Sequence, residues 1–356
     1  MNSGTRLTGR APARLAPIFV PRIWGSRDLT SLFPERETEK EPIGEAWLTG
    51  DACKFVSGEF AGRSLGEVWP TLPAEWTGTR LRGLPQFPLL VKYIFPEEKL
   101  SVQVHPNDEY ARKHESAAGG VGKTEMWYVV DARKGAGVRV GLVPGMTRES
   151  FHSAVGAGTV EDCLGTVPVH RGDAIFVPAG TAHTICPGMV LCEIQQQSDI
   201  TYRVFDYNRV GTDGKPRDLH LRQALEVLHF GEQRGGLCSP VRIVRGAIAE
   251  TLYAACPYFA TERWEFTERV SAATSTDQFE MLIFLHGHGQ IEFTGGSETF
   301  APAQVFLLPA ALGTFHIAPS SPVTLLRTYV PDLAELVKRL AASGVAESAW
   351  SKVVHP

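Results

Sequence analysis

Glycine and proline cut this chain into short pieces, and that limits what it can fold into. Its 356 residues carry 35 glycines and 24 prolines, spread so that most apolar runs are short. Proline has no N–H for a sheet ladder and breaks a helix interior, while glycine weakens both. The stretches between them are therefore read as short strands, short helices and turns. Apolar runs predict strands over 54–56, 89–95, 100–105, 125–130, 138–142, 174–177, 190–196 and 201–207. So many short strands point to an all-β barrel or jelly roll. Helices are predicted over 109–115, over 148–155 behind an N-cap at Thr147, and over 331–342. Thr159 with Asp162 has capping-box spacing. The 219–228 segment puts Leu219, Ala224, Val227 and Leu228 near one face, as an amphipathic helix would.

The segment Ser101-Val102-Gln103-Val104-His105-Pro106 carries the first chemistry. In a strand, Ser101, Gln103 and His105 share one face, and Pro106 ends the strand. An amide oxygen and an imidazole on one face make half of a metal site. Glu125, at the head of an apolar run, and His183, after a strand and a tight turn, supply the other half. Two nitrogens and two oxygens suit zinc or another borderline divalent ion. On the strand near 190–197, Leu191, Glu193, Gln195 and Gln197 share a face, and Val190, Cys192 and Ile194 take the other as core packing. Glu193 is thus a candidate for acid–base or hydrogen-bonding work. Arg203, with its fixed fork of donors, suits a phosphate or a developing oxyanion. Ser101, on the same face as Gln103 and His105, could hydrogen-bond a phosphate or a sugar.

The chain repeats itself faintly. Residues 279–293 echo 124–140, and residues 301–317 echo 171–185. The second copy keeps Glu280 and His316 but has no Gln-x-His or His-x-His segment ahead of Glu280, so it is expected to bind no metal. His286 and His288 fall in a glycine-flanked turn and are expected to be solvated.

Composition narrows the classes. A 43% hydrophobic content allows a large core and two domains, and a net charge of −4 offers no basic stripe for nucleic acid or an anionic membrane. No apolar run reaches the roughly 18 residues needed to span a bilayer. The first residues, through Arg14, hold several arginines without a signal-like apolar stretch and are expected to be frayed. Six scattered cysteines with no Cys-x-x-Cys pair suit reduced thiols in a cytoplasmic protein.

Gly172, Pro178, Gly180 and His183 have the spacing of the second cupin signature motif, which this segment resembles. Four segments in order, "LSVQVHPND", "GKTEMWYVV", "PAGTAHTI" and "DITYRVFDYNR", resemble type I mannose-6-phosphate isomerases in their short bacterial form. The resemblance runs from about Pro21 to about Phe230 and continues more weakly beyond. A general cupin has two histidines and a nearby glutamate in its first motif. Here Gln103 replaces the first histidine and Glu125 follows only after a long insertion, as in the isomerases. "RIWG" (22–25) and "GEAWLTG" (44–50) also resemble the family and are given fold and site-wall roles.

The resemblance implies a mainly β fold of two cupin-type jelly-roll β-barrels joined by a short helical segment. Its expected divisions are a catalytic domain over 1–212, a helical connector over 213–236 with its linker at 231–236, a degenerate metal-free domain over 237–331, and a terminal helix and tail over 332–356. It implies one zinc ion per chain on Gln103, His105, Glu125 and His183. Arg203 is the family's named active-site arginine, Glu193 the choice for acid–base work, and Lys92, Ser101 and Lys123 position the substrate. Arg209 falls where the family often has a second basic residue. The implied activity is aldose–ketose isomerisation of mannose 6-phosphate and fructose 6-phosphate through a cis-enediol. The implied partner is a sugar phosphate, with no nucleic acid or membrane, and with the chain as monomer or homodimer. A non-catalytic sugar-phosphate-binding cupin is the alternative, and a metal-dependent oxygenase a more distant one.

Overall fold

A computed structural model describes residues 11–211, 214–231 and 234–356. It is mainly β, and its strands pair antiparallel. Cα packing divides it into two compact units that are not contiguous in sequence. One comprises Phe19–Trp47 and Leu89–Cys238; the other comprises 11–18, Leu48–Pro88 and Ser239–Pro356.

The first unit holds a seven-stranded and a five-stranded sheet. In spatial order the larger runs Gly236–Leu237, Ala174–Val177, Glu125–Ala132, Met189–Gln196, Leu89–Ile94, Ile43–Trp47, Ile18–Ser26. The smaller runs Tyr202–Phe205, Val102–Val104, His183–Ile185, Gly137–Leu142, Leu164–Pro168. Trp127, Val129, Ile175 and Leu191 of the larger sheet pack with Val138, Val140 and Ile185 of the smaller. The core therefore lies between the sheets, the solution by which each hides its apolar face.

The second unit also pairs sheets of seven and four strands. Its core is aromatic: Phe284, Phe306, Phe300 and Phe315 pack together, and the Phe284 and Phe300 rings stack at 3.9 Å. The faint repeat has a structural counterpart in register. His183 pairs with Gln103 in the first unit, and His316 pairs with Ser271 in the second. Glu193 pairs with Lys92 and Trp127, and Arg327 with Glu262 and Leu282. The positions of Lys92 and Glu193 thus carry opposite charges in the second unit. Arg327 grips Glu280, the counterpart of Glu125, with two hydrogen bonds of 2.7 and 2.5 Å, and reaches Glu262 at 2.9 Å. Ser271 and Ala273 stand where Gln103 and His105 do. The Glu280 carboxylate is taken by a guanidinium.

Several expectations change. Ala13–Leu15 is a strand on Val305–Leu307, so the chain before and at Arg14 is ordered into a sheet edge from Ala13 onward; residues 1–10 lie outside those described. Residues 54–56 make isolated bridges only. Thr159 precedes a 3₁₀ turn, Val160–Cys163, without a side-chain cap. The connector helix is Leu221–Val227, and Leu219 ahead of it is 52% exposed. Part of the expected linker, 232–233, and the expected boundary at 212–213 lie outside the described residues. Gly236 and Leu237 pair with Phe176 and Ile175 as a short strand. The predicted cap at Thr147 forms, its side chain accepting from the Ser150 N–H, and Asn107 caps the helix Asp108–His114 by accepting from the Tyr110 N–H. His286 and His288 are exposed.

Candidate metal centre and active-site cavity

Backbone register sets the site. The pairing of Gln103 with His183 on one side and with Arg203 on the other puts three predicted residues in a row across adjacent strands. Such residues point to one face. The turn before His183 is locked to the strand carrying His105, because the Gly180 N–H donates to the His105 carbonyl at 2.8 Å. Gly180 has φ +83°, and a Cβ there would stand 2.4 Å from the His229 ring. Only glycine fits both the conformation and the space. The Lys123–Glu125 segment is held by Gln196, which accepts from Thr124 N–H at 2.9 Å and donates to Asp108 at 2.9 Å.

His105, Glu125 and His183 are buried, and one potential ligand atom from each lies within 4.8 Å of the others. His183 Nδ1 stands 2.9 Å from the Thr181 carbonyl and His105 Nδ1 stands 2.8 Å from that of Ile200. A carbonyl can only accept, so each Nδ1 carries the proton and each Nε2 presents its lone pair. Those Nε2 atoms lie 3.3 and 3.6 Å from the two Glu125 oxygens. The Lys123 ammonium makes an ion pair 2.7 Å from Glu125 Oε2 and 3.1 Å from His105 Nε2. A cation already sits among the donors, which shows where their lone pairs converge. The Gln103 amide nitrogen is 3.2 Å from His183 Nε2, with Gln103 Oε1 accepting from Ser101 at 3.3 Å. Turning that amide over exchanges nitrogen and oxygen in nearly the same space, and Ser101 can accept as well as donate. The donor set therefore fits a divalent metal: two neutral imidazoles, one carboxylate and one amide oxygen.

Electrostatics agree with the geometry. Burial, with Lys123 adding to it, holds His105 well below the ordinary histidine value, and burial takes His183 down to about 4. Both are neutral ligands without a metal's help. Burial raises Glu125 to about 8, against the opposing pull of Lys123. Burial alone would raise Glu193 too, but Lys92 and Lys123 outweigh it and leave the group well below the ordinary range. Lys92 is held above its ordinary value: burial opposes its charge, but Glu193 and Glu45 overcome that.

Above these donors opens a cavity of about 1000 Å³. Lys92, Ser101, Gln103, Lys123, Glu193 and Arg203 line it. The sequence-derived candidates thus gather at one place, with His105, Glu125 and His183 buried against Gln103 and Lys123 of its lining. Glu193 faces the cavity, and Cys192 and Ile194 are buried as expected of core packing; Leu191 and Gln195 on the Glu193 face are buried too, because this strand is covered on both faces. Glu193 accepts from the Trp127 indole at 3.1 Å and lies 3.2 Å from Lys92. Lys92 also stands 3.7 Å from both Glu45 and Asp199. Arg203 donates to the Asp218 carbonyl at 2.9 Å, while its buried Nε has no partner. Burial and the nearby Arg217 hold Arg203 below the ordinary arginine value.

Arg22 and Glu45, from the segments given site-wall roles, line the cavity; sequence reading missed Asp199, Arg217 and His220, which line it too. Glu45 lay inside a segment already singled out, "GEAWLTG", and accepts from Arg22 and the Trp47 indole at 2.8 Å each. For His220 no local signal existed; its placement depends on backbone pairing with Arg203.

No family model matches the chain. It is 34% identical over 317 residues to the probable mannose-6-phosphate isomerase GmuF of Bacillus subtilis, covering 86% of this chain and 96% of that protein. It is 32% identical over 316 residues to the mannose-6-phosphate isomerase ManA of the same organism, covering 86% and 95%. Among solved structures, a mannose 6-phosphate isomerase from Bacillus subtilis superposes with a TM-score of 0.81 at 28% identity, covering 90% of this chain and 99% of that one.

Proposed function

The chain belongs to the mannose-6-phosphate isomerase family, and from that premise we propose that it interconverts mannose 6-phosphate and fructose 6-phosphate in the cavity above His105, Glu125 and His183. One observation carries the reading: two neutral imidazoles and a buried carboxylate converge against Gln103 and Lys123, which line a cavity whose walls bear arginines and lysines.

Gln103, His105, Glu125 and His183 would hold a divalent ion, and the mixed nitrogen and oxygen set suits zinc among the borderline metals. When bound, it supplies Lewis-acid polarisation of the sugar oxygens at C1 and C2. The chain's own residues do the rest. Aldose–ketose exchange moves a proton between C1 and C2 through a cis-enediol, and negative charge gathers on oxygen in that step. Arg203, one strand from Gln103 and with an uncommitted buried N–H, is placed to stabilise it. Ser101 orients the Gln103 amide. Lys123 lies where it can donate to a sugar oxygen once a metal takes its place among the donors. Glu193 plays a different part from the acid–base work its sequence position suggested. A carboxylate held far below its ordinary range is a weak base, so Glu193 anchors Lys92 and Lys123.

The test is fructose 6-phosphate formation from mannose 6-phosphate by the purified protein as isolated, after chelation, and after zinc is restored. The reading predicts activity that chelation removes and zinc returns. A folded protein with no turnover under any of these conditions contradicts it.

A further inference from the structure

We propose that Gln196 is a positioning residue for the metal centre: its side-chain amide fixes the approach to Glu125 and so sets how tightly the donors hold an ion, an inference that rests on reading those donors as a metal site and adds a residue outside them. Glu125 is the first residue of its strand. Its backbone pairs are with Gln195 on one side and Val177 on the other, and residues 121–124 ahead of it belong to no strand. A ligand at the very end of a ladder can swing with the chain that precedes it. A metal tolerates only about 0.5 Å of such play, so something other than the ladder must hold that chain.

Gln196 does so by standing in for the missing backbone. Its N–H donates to the Thr124 carbonyl at 3.2 Å, and its side-chain Oε1 accepts from the Thr124 N–H at 2.9 Å. One residue thus answers both polar groups of Thr124, as a further ladder pair would. The amide is 4% exposed and cannot turn over. Its Nε2 donates to Asp108 Oδ1 at 2.9 Å, so a flipped amide would set NH2 against the Thr124 N–H and oxygen against a carboxylate.

The other ligand segments meet at the same pair. Asp108 lies three residues past His105, and its Oδ1 also accepts from the Gly122 N–H at 2.8 Å. The Lys123 N–H donates to the Pro106 carbonyl at 2.9 Å. Gly122 has to be glycine for this approach, since a Cβ there would stand 2.6 Å from the Asn107 carbonyl carbon. On the far side, Thr124 Oγ1 accepts from the N–H of Ala179, in the turn that leads to His183, at 3.2 Å. The segments bearing His105, Glu125 and His183 are therefore joined through Asp108, Gln196 and Thr124, none of which is a metal donor. Partners one layer out from metal ligands are commonly worth about 10–100-fold in metal affinity.

The experiment measures zinc affinity of the metal-free protein by competition with a chelator, beside the Tm of that metal-free protein and its turnover of mannose 6-phosphate across a zinc titration. The proteins are wild type, Gln196→Met, Gln196→Glu, and Gln196→Glu combined with Asp108→Asn. Gln196→Met fills similar volume without the amide and should weaken zinc by at least about tenfold, raising the zinc needed for half-maximal turnover to match. Gln196→Glu keeps the acceptor for Thr124 but sets a second carboxylate against Asp108, and should also weaken zinc by at least about tenfold. Adding Asp108→Asn reverses donor and acceptor across that contact and should recover most of the loss. Zinc affinity within about twofold of wild type in the single variants overturns the proposal, and a lowered metal-free Tm beside it would show an amide that only stabilises the fold. A double variant that recovers no zinc affinity overturns it too. If Gln196→Met does not fold, Gln196→Glu and the double variant decide by the same criteria. A wild type that binds zinc, with the variants weakened as expected, but never turns over overturns the isomerase reading and leaves the positioning role standing.

Discussion

Replacing Lys92 with methionine should unbalance the most heavily charged part of the core. The side chain is 2% exposed, 3.2 Å from Glu193 and 3.7 Å from Glu45 and from Asp199. Methionine fills similar volume, so little of the effect comes from a cavity. What remains is buried carboxylate without its cation. Glu45 keeps Arg22 and the Trp47 indole, whereas Glu193 keeps the more distant Lys123 at 3.8 Å, the Trp127 indole and its contact with Glu125. Breaking a buried pair by removing one partner costs about 3–5 kcal/mol. In a unit of this size that is a fall in Tm of roughly 6–20 °C. The loss should depend on pH. In wild type the folded Glu193 value is depressed, so its contribution is present above the ordinary glutamate value of 4.5 and lost as pH falls through the folded value. Without Lys92, burial dominates and the folded value rises. The variant's deficit is then largest near neutral pH and shrinks as pH drops toward 4.5. The assay is calorimetric unfolding of wild type, Lys92→Met, Glu193→Gln and the double variant at several pH values. The double variant should recover at least about 2 kcal/mol relative to additivity. A loss under about 1 kcal/mol, or strict additivity, refutes the reasoning.

Three further outcomes follow. Arg203→Ala should lower turnover by at least about a hundredfold with metal content intact, the usual scale for one electrostatic group; steady-state kinetics with metal analysis checks it. Glu125, raised by burial to about 8, favours the metal-free fold while protonated, and that contribution is lost as pH rises from 4.5 through about 8. Metal uptake between about pH 5 and 8 should therefore release about one proton per site, fading at higher pH, while the already neutral histidines add none; calorimetry in buffers of different ionisation enthalpy measures this. Arg327→Met strands Glu280 and weakens the hold on Glu262, so it should cost about 3–5 kcal/mol. Because it sits in the other unit, metal stoichiometry should not change, which unfolding curves and metal analysis will show.

The donor residues were legible because strand geometry is local. Period two put Gln103 and His105 on one face, and the glycine turn before His183 has a conformation that its sequence declares. Arg217 and His220 were not legible, because they reach the cavity through a connection whose path is set by Asp206 and by the Arg203 backbone. Charge type was legible in Lys92 and Lys123, but not that carboxylates had already claimed both. The sheet edge at Ala13–Leu15 was hidden because its partner, Val305–Leu307, lies almost three hundred residues later. For the same reason, that Leu48–Pro88 packs with the C-terminal strands could not be seen in a linear reading. Met189–Gln196 alternates in sequence, but burial on both faces means the alternation does not mark a solvent side.

The most direct test of the account is to titrate zinc into chelated protein while following fructose 6-phosphate formation from mannose 6-phosphate, in wild type and in His105→Ala. The account predicts that wild-type activity rises linearly and saturates at one zinc per chain, and that a folded His105→Ala neither binds that equivalent nor gains activity. Full activity in the metal-free wild type, or normal zinc occupancy in His105→Ala, would contradict it.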